Sequence, residues 1–281
     1  MKNLRLVVLS IILLAAMLMS PERAVSQWSG TSGNGNVVTQ DRNAPSFSGI
    51  VISCSADVFI KQGGSQAVKV KADENLLELI TTNISGGVLE IDIDGSIRNA
   101  KTLEVFVTVV NLEKVKINGS GNVKSEGIIK GSSCEIDVNG SGDVELELDM
   151  KNLETTINGS GDVDVTGVSG EFRLKIAGSG DFTAEQLRLT TGNIYVQGSG
   201  DVKLSGSADK ISIEHSASGD VNLYSLNVVD VDAKCNGSGD VVVKVSGNLK
   251  VRLSGSGDLT YMGEPVSVDV SSSGSGEVYH R

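Results

Sequence analysis

The residues with the most chemical potential in this chain form one series: Asp143, Asp162, Asp181, Asp201, Asp220, Asp240, Asp258 and Glu277, with Asn122 in the same place at the start. From Asn122 onward the steps are 21, 19, 19, 20, 19, 20, 18 and 19 residues. Each member closes a glycine corner, as in 118-NGSGNV, 158-NGSGDV and 254-SGSGDL. If that period lines the side chains up at the inter-strand spacing of about 4.8 Å, neighbouring carboxylates repel by about 0.9 kcal/mol in bulk water and about 3.5 kcal/mol at an effective dielectric of 20. Backbone amides of the same or the next corner can relieve this by holding each carboxylate in its charged form. A cation of the Ca²⁺ type shared between corners is the alternative. The spacing differs from that of calcium-binding G-G-x-G-x-D repeats, because here the acid directly follows the last glycine and occurs once per period. A structural acid ladder is therefore the expectation, with no metal assigned and calcium kept as the second possibility.

Catalytic chemistry finds less material. The GSG repeats do not extend to G-x-G-x-x-G, and no G-K-[ST] loop is present. Of the two histidines, His215 stands where other repeats carry an apolar residue and His280 adjoins the C-terminus. A histidine triad or a zinc site is therefore not expected. Polysaccharide cleavage by paired carboxylates is the remaining enzymatic possibility, but acid–base work needs two groups whose environments differ. These acids recur in near-identical surroundings, and aromatic residues are only 4% of the chain, too few to promise a sugar-stacking cleft. No enzyme is expected.

The elements that must position this series follow from the same register. Five places before the polar residue stand Ile117, Val138, Ile157, Ile176, Val196, His215, Cys235, Leu253 and Ser272; seven places before it stand Val115, Ile136, Thr155, Leu174, Ile194, Ile213, Ala233, Val251 and Val270. The intervening positions are mostly polar, which is the period-2 pattern of a half-buried strand. The residue after the acid is again apolar: Val123, Val144, Val163, Phe182, Val202, Val221, Val241, Leu259 and Val278. Each coil reads as strand, glycine corner, strand, then a link of variable length such as 166-TGVSG. A fixed period near 20 with such columns is the signature of a β-solenoid. The corners use Gly119 and Gly121, Gly140 and Gly142, Gly159 and Gly161, Gly178 and Gly180, Gly198 and Gly200, Gly237 and Gly239, and Gly255 and Gly257. The expected reason is the sharp turn, since glycine reaches positive φ without penalty.

Residues 1–26 read as an export signal: Lys2 and Arg5, an apolar run from Leu6 to Met19, and the small residues Ala24-Val25-Ser26. That run is short for a membrane span. The mature chain is expected to carry no transmembrane span, and to reside in the periplasm, at the cell surface or outside the cell. Residues 27–46 read as a flexible polar leader and 47–281 as the solenoid, with an irregular opening section over 47–110 and nine repeat coils over 111–281. Cys54-Ser55-Ala56-Asp57-Val58 looks like an altered copy of the corner. Cys134 and Cys235 fall in apolar columns, and the three cysteines are expected to be buried free thiols. A formal net charge of −11 argues against nucleic acid as a partner. Partners are expected among surface, glycan or protein ligands, and the open ends of a solenoid allow self-association.

The repeated NGSGDV corners, the opening 45-PSFSGIVIS and 57-DVFIKQG segments and the export signal together resemble the bacterial auto-transporter adhesin, head GIN domain family, common in Bacteroidetes. The resemblance covers roughly residues 45–280. It implies an all-β fold, a single-stranded right-handed parallel β-helix of the pectin-lyase type with about 19–20 residues per coil. It also implies an adhesin-like surface or scaffold role at the cell envelope, without catalytic residues to carry over.

Overall fold

The computed structural model describes residues 30–281. The export signal and the first residues of the leader lie outside the described residues. The described chain is almost entirely strand, with one 3-10 turn at Glu74–Leu76. Long strands run from one glycine corner to the next: Val144–Ile157, Val163–Ile176, Phe182–Val196, Val202–His215 and Val221–Cys235. Each pairs in parallel with the strand one period away, so the chain winds into a parallel β-solenoid. Like residues stack on like, with Val144, Val163, Phe182, Val202, Val221 and Val241 forming one buried column and Ile157, Ile176, Val196 and His215 another. Burying a side chain of this size contributes roughly 1.5–3 kcal/mol.

The variable link proves to be a third wall rather than a loop. Strand pairing continues through it, and Leu148, Met150, Val168, Leu187, Leu189, Leu226 and Val228 are buried there. Differences in coil length are absorbed by shifts of register, such as the one between Thr166 and Glu171. Gly167 and Gly170 supply the positive φ, 74° and 139°, that this bulge requires.

Over residues 47–110 the coils do not follow one another in sequence order. The strands Gly49–Ile52 and Asp57–Gln62 make one coil that lies between two others. On one side they pair in parallel with Lys114–Ile117 and Val123–Ser125. On the other side they pair with Val88–Ile93 and Leu103–Val109, which come later in the chain. The coils at this end are thus stacked out of sequence order. Ala67–Asp73 runs antiparallel to Leu103–Val109 and Ile80–Ser85 antiparallel to Val88–Ile93, so parallel winding stops here.

The leader expectation is corrected over its described part. Val37–Arg42 is a strand paired antiparallel with Ala67–Asp73, and it forms the outermost layer of that end. The preceding turn is fixed by polar groups: Asn34 N–H donates to Asn75 Oδ1 at 2.9 Å, and Asn75 Nδ2 donates to the Ser32 carbonyl at 2.9 Å. Such bonds depend on residues about 40 positions away, which composition does not register.

At the opposite end Ser267–Ser272 pairs only with Asn248–Leu253, and Val278–His280 only with Leu259–Met262. Val266, Val268 and Val270 are exposed, so this end is open rather than capped. His280 stacks on Tyr261 with ring centroids 4.6 Å apart.

Candidate functional site

The acid series forms a continuous line down the outside of the solenoid, and every level makes the same contact. The backbone N–H of each acid donates to Oδ1 of the polar residue one coil earlier. The distances are 2.9 Å for Asp143 onto Asn122, 2.9 Å for Asp162 onto Asp143 and 2.8 Å for Asp181 onto Asp162. They continue at 2.8, 2.7, 2.7, 2.8 and 2.9 Å through Asp201, Asp220, Asp240, Asp258 and Glu277. The line starts one coil earlier than the repeat, at Asp57, whose Oδ1 accepts the N–H and the Nδ2–H of Asn122, both at 3.1 Å. The altered corner Cys54-Ser55-Ala56-Asp57 is the sequence signal for that level.

The corner glycines occupy two columns, and the reason differs from the expected positive φ. No corner glycine has positive φ. Instead each lies against the carbonyl of the coil beneath: a Cβ at Gly140 would stand 1.8 Å from the oxygen of Gly119, and one at Gly161 2.0 Å from that of Gly142. Gly159, Gly178, Gly198 and Gly255 meet the same obstacle in the first column, and Gly180, Gly200, Gly239 and Gly257 in the second, all within 2.1 Å. Gly119 and Gly237 sit on Cys54 and Ala217, while Gly121 and Gly142 meet the oxygens of Ala56 and Gly121, at 2.0–2.1 Å. The backbone packs on itself here, and only hydrogen fits between.

Beside the glycines the side chains bond along the same axis. Asn158 Nδ2 donates to Asn139 Oδ1 at 2.9 Å, and Asn139 Nδ2 to Asn118 Oδ1 at 3.3 Å. Outward lysines and acids pair between coils, as in Lys114 with Glu135 and Asp137, and Lys234 with Glu214. Such exposed pairs contribute at most about 1 kcal/mol each. His215 is fully buried and its Nε2–H donates to the Gly219 carbonyl at 2.6 Å. Cys54, Cys134 and Cys235 are buried and free. Burial pushes the thiols of Cys134 and Cys235 up to about 12. Among the described residues no group of three or more His, Cys, Asp or Glu is placed to hold a metal ion.

Two carboxylates outside the ladder stand in unusual settings that the repeat does not announce. Burial raises the pKa of Asp164, opposed by a hydrogen bond from Thr183 and reinforced by the charges of Asp162, Glu145 and Asp143. Asp73 is fully enclosed and accepts N–H groups from Gly35 at 2.6 Å and Lys101 at 2.7 Å. Burial alone would raise its pKa, but the amides of Lys101, Gly35 and Thr102 outweigh that and hold the carboxyl below its ordinary range.

Comparison with known proteins places this geometry in a group. A family model described as "Putative auto-transporter adhesin, head GIN domain" matches residues 46–203 and 193–265. No curated protein matches the sequence. Among solved structures, a putative adhesin from Parabacteroides distasonis is 21% identical, with a TM-score of 0.70 over 90% of this chain and 100% of the other. A second P. distasonis protein, described as a putative lipid binding protein, is 22% identical, with a TM-score of 0.66 over 89% and 99%. A putative adhesin from Parabacteroides merdae is 20% identical, with a TM-score of 0.63 over 90% and 99%. At these identities the likeness is one of fold. No helix among the described residues is long and apolar enough to cross a membrane.

Proposed function

Because the chain belongs to the auto-transporter adhesin, head GIN domain family, we infer that it is an exported, non-catalytic surface protein whose long regular faces make adhesive contacts at the cell envelope. The carboxylate ladder is then architectural. One observation supports this most directly: every carboxylate from Asp143 to Asp258 holds the amide of the next coil in the same way. Identical environments leave no pair of acids set apart for acid–base work, and the amide bonds offset the repulsion between neighbours without a cation. The exposed faces are rigid because each strand is paired on both edges through most of the stack.

The reading is tested in a producing strain lacking the gene. Attachment of cells to host mucin or to an abiotic surface should fall, and restoring the chain should recover it. The intact chain should also be digested by protease added outside the cells. Unchanged attachment, or a chain protected until the envelope is broken, would remove the adhesive role.

A further inference from the structure

The repeats are uniform, so a selective site is best sought where the repetition is broken. It breaks at the coil boundary between Asp57–Gln62 and Val123–Ser125. There Phe59 and Phe106 stack on the outer surface, centroids 5.2 Å apart and rings 17° from parallel, both only partly buried. Phe106 backs one face of Phe59. The other face is turned toward Lys124, its neighbour across the strand pair. The Lys124 Nζ pairs with Glu145 Oε2 on the next coil at 2.7 Å. A cleft of about 310 Å³ results, with Phe59 as one wall and Asp57, Asn122, Asp143, Lys124 and Glu145 around it.

The polar rim departs from the repeat at one residue. Asn122 occupies the ladder position that is an acid at every later level. It donates to Asp57 Oδ1 and accepts from the Asp143 backbone N–H, while Asp143 Oδ1 accepts the Asp162 N–H. Oδ2 of Asp57 and Oδ2 of Asp143 accept no hydrogen bond from the described residues, and Asn122 and Lys124 line the same cleft with an amide and an ammonium group. One ring face beside planar, mixed donors and acceptors suits a ligand with an apolar C–H face and equatorial hydroxyl groups. The low aromatic content noted above does not prevent this, because strand pairing brings together two rings 47 residues apart.

We propose that this cleft binds a neutral pyranose unit of a surface glycan, with the sugar's C–H face on Phe59 and its hydroxyls on Asp57, Asn122 and Asp143. This rests on the adhesive reading and names its ligand class. The test titrates ¹⁵N-labelled protein with the methyl glycosides of glucose, galactose and mannose and with their neutral oligosaccharides, following the amides of residues 57–61, 104–108 and 121–125. Shifts should concentrate there for at least one sugar. Phe59→Ala should weaken that binding about tenfold, the scale of losing one stacked face, and Phe59→Tyr should retain it. Asn122→Asp imposes the acid found at later levels and so keeps the fold; it should also weaken binding by removing the side-chain donor. Absence of localised shifts with every sugar, or equal affinity of wild type, Phe59→Ala and Asn122→Asp, would overturn the assignment. Cells carrying Phe59→Ala separate the two readings: attachment equal to wild type leaves adhesion standing and removes the glycan cleft, whereas no attachment by wild-type cells removes the adhesive role itself.

Discussion

At Gly178 an added methyl would stand 1.9 Å from the carbonyl oxygen of Gly159, whereas at Gly64 nothing lies within 4 Å. Gly178→Ala should therefore cost about 3 kcal/mol or more, because backbone rather than a yielding side chain must move. Gly64→Ala should be neutral or slightly stabilising through the unfolded chain. Urea unfolding of the two variants checks this, and equal midpoints would mean that the corners relax more freely than their contacts imply. Val163 is fully buried and Lys175 exposed. Val163→Asp should lose more than about 4 kcal/mol by burying an unpaired charge, while Lys175→Glu should unfold with the parent. The thiols belong to the same scale: buried and with pKa values pushed up to about 12, Cys134 and Cys235 should resist iodoacetamide at pH 8 and react once urea unfolds the chain.

The strand and its ladder set the next level of prediction. Asn122 already serves Asp143 at 2.9 Å with an amide oxygen. Asp201→Asn should consequently change stability little, whereas Asp201→Ala strands the Asp220 N–H and should cost about 1 kcal/mol. Chelation with EDTA should leave the melting temperature unchanged; a fall would restore the calcium alternative. Asp73 supplies the pH dependence. Its folded pKa lies below the unfolded value, so its contribution is present above the unfolded value, about 3.9, and is lost as pH falls through the lower folded one. Asp73→Asn should loosen the outer strand Val37–Arg42 and speed hydrogen exchange there at neutral pH, with the repeat coils unaffected. Uniform acceleration along the chain would show that the two ends are not independent.

Over the whole molecule, legibility tracked contact distance along the chain. The repeat coils pair residues 18–21 positions apart, so a single periodic register placed Val163, Ile157 and the acids on their proper sides. The corner of the intercalated coil is legible at Cys54–Asp57, but its place in the stack is not, because Asn122 meets Asp57 across 65 positions and no period connects them. The third wall was hidden by bulges that break the alternation around Thr166–Glu171. The two glycine columns are legible as corners but their task is not, since close approach between coils depends on the stack and not on the turn. Phe59 and Phe106 appear as separate strand residues until pairing joins them.

The out-of-order coil gives the molecule a direction under tension. Pulled from the C-terminal side, Val278–His280 and Ser267–Ser272 are each held along one edge and can peel away, one hydrogen bond after another. Pulled from the other side, Val37–Arg42, held by Ala67–Asp73 alone, yields first, and the load then reaches the segment from Gly49 to Gln62, which is gripped on both edges, by Lys114–Ile117 and Val123–Ser125 above and by Val88–Ile93 and Leu103–Val109 below. It can leave only if both seams shear together. A tether attached at the N-terminal side would hold load on a locked joint, while the far end would pay out coil by coil.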